Sequence, residues 1–214
     1  MSNKKEYKLT LGNIIQHFKT ICKHRHAVMK YAWKCGIPLQ GLVHDLSKFS
    51  PTEFFCNARY YTLGKSPIDV QRELFGYSPA WFHHKGRNKH HYEYWTDKYD
   101  SGCYVTKIPF KYTVEMLCDC IAANEVYLGK EASYKSLHQW WKTKRVNIAM
   151  HPVNKHFLDY VFLRLESMEN RNINGRHIKD TEILNKEVLF NIYAHQEKKY
   201  NDIPYQVKLS DIRK

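Results

Sequence analysis

The sequence predicts an all-helical chain, and three observations carry that prediction. Apolar residues recur at three- and four-residue steps along most of its length, as the buried face of a helix requires. Two of these stretches open on serine followed by proline, the pairing of an N-cap with a first-turn residue that needs no N–H donor. Strand-like alternation is sparse.

In order along the chain, Ile14, Phe18, Ile21, Cys22, Val28, Met29 and Ala32 predict a helix from Leu11 to Trp33, ended by Gly36 and Pro38. A second helix is expected to carry Leu39, Leu42, Val43, Leu46 and Phe49. Ser50, Pro51 and a capping Glu53 then start a third. Residues 62–69 (TLGKSPID) read as a loop, and 70–76 fall short of a full helical pattern. Ser78 and Pro79 open a helix that carries a histidine-rich run. Thr96 to Pro109 contains Asp97, Asp100, Gly102 and Pro109 and reads as the longest surface loop. A long helix is expected from about Phe110 to Leu128. Helical patterns return over 134–141 and 151–168 and, after the polar break ENRNINGRHIKD, near 182–195. No repeat period appears.

A chain of 214 residues is long enough for one sizeable core and short for two. The expectation is one domain over 1–214, with a core at about 11–170 and a C-terminal helical extension and tail at 171–214. A hydrophobic fraction of 43% excludes the composition of a disordered chain. Thirty-four Lys and Arg against 21 Asp and Glu give a net charge of +13, a field that attracts phosphates, nucleic acid or an anionic surface. Because the basic residues are scattered from Lys4 to Lys214, a small anionic substrate is favoured over nucleic acid. Six cysteines without a CxxC pair are expected as reduced core residues. With neither an apolar leader nor a stretch of roughly 18 apolar residues, the expectation is a soluble, cytoplasmic protein without a membrane partner.

The chemistry is concentrated in histidine. There are 13, many of them clustered as His24 with His26, His83 with His84, and His90 with His91, and the dipeptide His44-Asp45 joins them. Imidazole and carboxylate together suit Fe, Mn, Co, Ni or Zn better than calcium. Asp119 has Met116, Ala122 and Ala123 on its own side of the long helix. A carboxylate buried there needs a cation, either a metal or an arginine such as Arg25 in the middle of the first helix. The aromatics of YEYW and HQWW are read as core rather than as stacking platforms for bases.

The order H-(19 residues)-HD-(38 residues)-H-(a few residues)-H-(about 27 residues)-D resembles the HD-domain superfamily of metal-dependent phosphohydrolases. HRHAV resembles its first-helix histidine and following valine, and HDLSK resembles its HD-x-x-K signature. HHYEYW is similar to the His-His-Glu of the HD-GYP branch, although the GYP residues are absent. More narrowly, HDLSK, HHKGRNKHH and the downstream aspartate resemble a family of bacterial and phage proteins of unknown function, over about residues 15–170.

The resemblance implies an HD-like helical bundle holding one or two divalent transition-metal ions. The implied ligands are His24, His44, Asp45, His84, His91 and Asp119, with His26, His83 and His90 as weaker candidates. Helical spacing alone does not separate His24 from His26. Asp45 inherits the role of bridging two ions. Lys48, one turn after His44, is placed to meet a phosphate, and Lys85, Arg87 and Lys89 would clamp an anion. Asn88 or Glu93 would orient an imidazole or hold a water. Asp45, Lys48 and Glu93 form the expected catalytic set. The implied activity is hydrolysis of a phosphoester or phosphoanhydride in a nucleotide or small phosphorylated metabolite. Oxygen chemistry at a diiron site is the alternative, and a non-enzymatic, basic nucleic-acid-binding module is the weakest reading.

Overall fold

The computed structural model describes residues 6–99, 102–169, 172–173, 176–177, 180–200 and 205–208. Its architecture is an all-α helical bundle with small β elements at the edge. Helix α1 (Leu11–Lys34) begins at Thr10, whose side chain accepts from the Asn13 N–H, and ends where Gly36 turns the chain at φ 71°. It packs lengthwise against α6 (Phe110–Leu128), and α7 (Tyr134–Lys144), α8 (Pro152–Glu169) and α9 (Lys186–Tyr200) complete the bundle. Val28 and Ala32, Leu117 and Ile121, Trp141, Phe157, Phe162 and Leu189 form one contiguous core between them. Because Leu189 and Tyr193 join that core, the C-terminal extension is part of the same packing unit.

Four expectations are corrected. The helix expected to carry Leu39 to Phe49 is broken: α2 (Pro38–Val43) stops, His44 leaves the helical conformation, and Asp45 adopts φ 54°, ψ 29° before a 3-10 turn at Leu46–Phe49. Asp45 is the one non-glycine residue with positive φ among the described residues, and its left-handed backbone ends the i→i−4 ladder. Residues 67–75 are helical, not irregular. This element, α4 (Pro67–Phe75), starts at Ser66-Pro67 and stops at Gly76 with φ 79°, the same punctuation that opens α3 (Pro51–Arg59) and α5 (Pro79–Lys85). Much of the expected 96–109 loop is a hairpin of β1 (Thr96–Tyr99) and β2 (Gly102–Val105), with Cys103 and Val105 buried. In the tail, β5 (Tyr205–Lys208) adds antiparallel to β2, and within the polar break β3 (Asn172–Ile173) pairs with β4 (Arg176–His177).

Of three short helices, α2 packs on α1 and α6, α3 on α1, and α5 on α3, and this chain of contacts brings His44 and His84 to the inner side of α1. The six cysteines are free thiols, with Cys22 exposed and Cys35, Cys103 and Cys118 buried. Among the described residues no helix is long and apolar enough to cross a membrane.

Candidate metal centre

His24 lies on the inner face of α1, one turn from Ile21 and Val28, and is 6% exposed, whereas His26 points outward and is exposed. Packing thus makes the choice that periodicity leaves open. Arg25 reaches over the following chain, donating to the carbonyl of His44 and, at 2.9 Å, to that of Leu42. It pins the turn that aims Asp45 and does not pair with Asp119. A further bond, from Lys48 N–H to the Asp45 carbonyl at 3.0 Å, closes this turn. The left-handed Asp45 costs of order 1 kcal/mol or more, so the neighbouring contacts must hold it there.

The Asp45 carboxylate, 1% exposed, is split between two groups of side chains. Its Oδ2 faces His44 Nε2 at 3.2 Å and His24 Nε2 at 3.9 Å, and Asp119 Oδ1 stands 3.0 Å from His24 Nε2 and 3.7 Å from His44 Nε2. Its Oδ1 faces His84 Nε2 at 3.3 Å and His90 Nε2 at 3.5 Å, with His91 beside them, its ring centroid 4.1 Å from that of His90. Two sets of four side chains therefore offer ligand atoms within 4.8 Å of one another: His24, His44, Asp45 and Asp119, and Asp45, His84, His90 and His91.

The donor set fits metal ions. Nε2 of His24, His44, His90 and His91 and Oδ1 of Asp45 are buried without a hydrogen-bond partner, while Asp45 Oδ2 meets the Lys48 ammonium. Buried polar atoms are nearly always satisfied, and five orphans converging on one place are what a cation site looks like from its ligands. The protein also sets which ring nitrogen is free. Glu115 Oε1 accepts from His44 Nδ1 at 2.8 Å and His90 Nδ1 at 3.0 Å, while Glu53 takes His83 Nδ1 at 2.5 Å and His84 Nδ1 at 2.9 Å. With protons held at Nδ1, the Nε2 lone pairs of His44, His84 and His90 point to the two sets. Glu115 also receives Gln40 Nε2 at 2.6 Å, which favours reading His44, His90 and Glu115 as a hydrogen-bonded node rather than a third ion site.

The charge balance agrees except at His44, where burial is outweighed by Asp45, Asp119 and Glu115, which raise the imidazole well above its ordinary value, so a metal there would displace a proton. Burial opposes ionisation of Glu53 and Glu115, but His84 and His83, and His44 and His90, outweigh it and hold both carboxyls below the usual range. Burial likewise opposes the Asp119 carboxylate, and His24 and His44 pull it well below its ordinary value. Burial, together with the Lys48 charge, lowers His24, and burial beside His90 and His84 lowers His91 strongly, so both present neutral imidazoles.

Of the expected residues, His24, His44, Asp45, His84, His91 and Asp119 come together. His90, taken as a weak candidate, is 1% exposed and stands among the ligands as well placed as His84. His83 does not join the two sets; its Nδ1 is engaged by Glu53. Lys48 meets the centre, with Nζ 2.6 Å from Asp45 Oδ2 and a side chain 22% exposed. The other expected anion clamps lie elsewhere. Lys85 sits over the Phe82 ring, Arg87 donates to the His83 carbonyl, and Lys89 lies over Tyr94 and Tyr112. Glu93 is outside both ligand sets, and burial raises its carboxyl. Asn88 ties the end of α5 to the Asp45 turn, donating to the His84 carbonyl and to Ser47 Oγ at 2.8 Å each.

Sequence reading missed two carboxylates. Glu53 reads in sequence as a capping residue, and Ser50 does cap its N–H at 3.4 Å, yet the fully buried side chain serves His83 and His84. Glu115 stands one turn before Asp119 on the same side of α6, a spacing that would have flagged it once Asp119 was singled out.

A model of a protein family described as a family of unknown function, DUF5662, matches residues 13–164. The match takes in every ligand candidate from His24 to Asp119. No curated protein and no solved structure gives a significant match. The chain belongs to the DUF5662 family.

Proposed function

We propose that this member of the DUF5662 family is a metal-dependent phosphohydrolase of the HD type, acting on a phosphoester or phosphoanhydride of a nucleotide or another small phosphorylated metabolite. The observation that carries the reading is the split Asp45 carboxylate, with one oxygen toward His24 and His44 and the other toward His84 and His90. His24, His44, Asp45 and Asp119 would hold one ion, and Asp45, His84, His90 and His91 a second. Divalent ions held there would supply a water of lowered pKa as nucleophile and would neutralise charge developing on phosphorus.

The chain's own groups do the rest. Glu115 and Glu53 keep protons on Nδ1 of His44, His90 and His84 and so fix the rings in ligating orientation. Lys48, at the rim of the centre and partly exposed, is the cation a substrate phosphate meets beside Asp45. The net charge of +13 favours approach of an anion.

The test begins with elemental analysis of the full chain purified without chelator, beside His44→Ala and Asp45→Ala. One or two equivalents of Fe, Mn, Co, Ni or Zn in the wild type, lost in both variants, together with metal-dependent release of phosphate from a nucleotide and phosphoester panel, is the expected result. A well-folded protein that takes up no metal on reloading overturns the reading. Iron with oxygen consumption and no phosphate release replaces hydrolysis with oxygen chemistry.

A further inference from the structure

We propose that the outer face of α1 and α2 is a two-fold interface at which two copies of this chain pair, α1 crossing α1 antiparallel at Cys22. The inference is independent of the activity proposed above.

The face is apolar where solvent should make it polar. Leu11 (73% exposed), Phe18 (48%) and Trp33 (73%) lie on the outer side of α1, and Leu39 (79%), Leu42 (56%) and Leu46 (54%) continue it on α2 and the turn after it. These are one band. Gly41 of α2 comes so close to Ala32 and Met29 that a Cβ there would meet the Ala32 methyl at 2.5 Å, and the rings of Phe18 and Phe49 touch at 6.1 Å. Those six side chains expose on the order of 800 Å² of apolar surface, beyond the largest patch of an ordinary monomer and equal to one partner's share of a standard interface.

The exposed area and the thinness of the basic charge around it select the occupant. Helix α1 has no acidic residue in its first turn, and its sequence contains none at all. Yet Lys30 is paired with Glu125 and Lys34 with Asp180. With Arg25 committed to the carbonyls of His44 and Leu42, Lys19 and Lys23 are the remaining cations on α1 flanking the band, too few for the polybasic cluster that a lipid surface usually requires. A second copy needs no such cluster, and isologous pairing is the commonest mode of self-association. Cys22 lies at the midpoint of α1 (Leu11–Lys34) and is exposed. An antiparallel crossing there sets the Leu11–Phe18 half against the Trp33–Leu39 half of the other copy. The inner sides of these same elements carry His24, His44 and Asp45, so pairing would also buttress the turn that holds Asp45 in its left-handed conformation.

The experiment uses the full chain. Sedimentation should show a dimer at micromolar concentration, and Trp33→Glu with Leu39→Glu should raise its dissociation constant about a hundredfold or more, with far-UV spectrum and metal content unchanged. Copper-phenanthroline, which removes two electrons and two protons from a pair of thiols, should give a Cys22–Cys22 disulfide dimer under native conditions that is absent in Cys22→Ser. This second arm needs no destabilising variant. A monomer at 100 micromolar overturns the proposal, as does a dimer indifferent to both substitutions or one that does not cross-link. A monomer that floats with phosphatidylserine vesicles overturns it too and assigns the band to lipid.

Discussion

Lys48 Nζ lies 2.6 Å from Asp45 Oδ2, the same oxygen that faces His24 and His44. The ammonium therefore neutralises one side of a carboxylate that is itself the hub of both ligand sets. Asp45 and the ammonium stabilise each other: despite burial, Lys48 is held charged by Asp45, and Asp45 well below the carboxylate range by His44 and Lys48.

That contact makes Lys48→Met informative. Removing a cation from Asp45 Oδ2 should leave metal content intact or tighten binding, since a competitor for the oxygen is gone. Removing the group that meets phosphate should lower kcat/KM by about 10- to 100-fold, mostly through KM. Loss of metal in Lys48→Met would refute this assignment and make the lysine part of the ligand scaffold.

The carboxylates behind the histidines act on the metal without touching it. Glu115→Gln keeps the shape but removes the charge that holds Nδ1–H of both His44 and His90, and Glu53→Gln does the same for His84. Each should weaken metal affinity by about 10- to 100-fold with the helices intact, as read by competition with a chelator. Glu115→Gln should be the more damaging, because it serves two ligands of different sets. Equal affinity in wild type and Glu115→Gln would show that packing alone orients the rings.

Asp45 separates backbone from ligand. Asparagine tolerates the left-handed conformation and alanine resists it, so Asp45→Asn and Asp45→Ala should both lose metal while differing in stability. Thermal melts of the metal-free proteins should place Asp45→Ala lower by about 1 kcal/mol. Identical melts would mean that the turn relaxes when the carboxylate is gone.

Much of this centre was legible because its ligands come as a spaced order of histidines and aspartates on predictable helices, and α1 and α6 arrive nearly where periodicity puts them. What was not legible has a common cause: it is decided across elements. Whether His24 or His26 turns inward depends on what α6 covers, and His90 ranks with His84 only because the chain after α5 folds back over Asp45. Glu53 looked like a cap since caps are local, while its true partners lie 30 and 31 residues away. The break after Val43 was hidden in an unbroken apolar pattern, because Leu46 and Phe49 stay on the outside band whether or not the helix continues. The anion clamps were assigned by proximity in sequence, and three of the four point away.

His17 supplies the pH prediction. It lies on α1 two turns before His24, 5% exposed between Phe54 and Tyr61, and neither ring nitrogen has a hydrogen-bond partner. Burial, reinforced by the nearby Lys48 charge, lowers it to about 4. A histidine whose folded value lies below its unfolded value of 6.5 favours the folded state only while neutral. Its contribution is therefore complete above pH 6.5 and is lost as pH falls from 6.5 towards 4, up to about 3 kcal/mol. His17→Phe keeps the ring against Phe54 and Tyr61 and has nothing to protonate. In denaturant titrations of metal-free protein between pH 7 and 4.5, the variant should lose less stability on acidification than the wild type, by about 2 kcal/mol at the acid end. Parallel curves for the two proteins would show that His17 gains a partner on protonation and does not drive the acid limb.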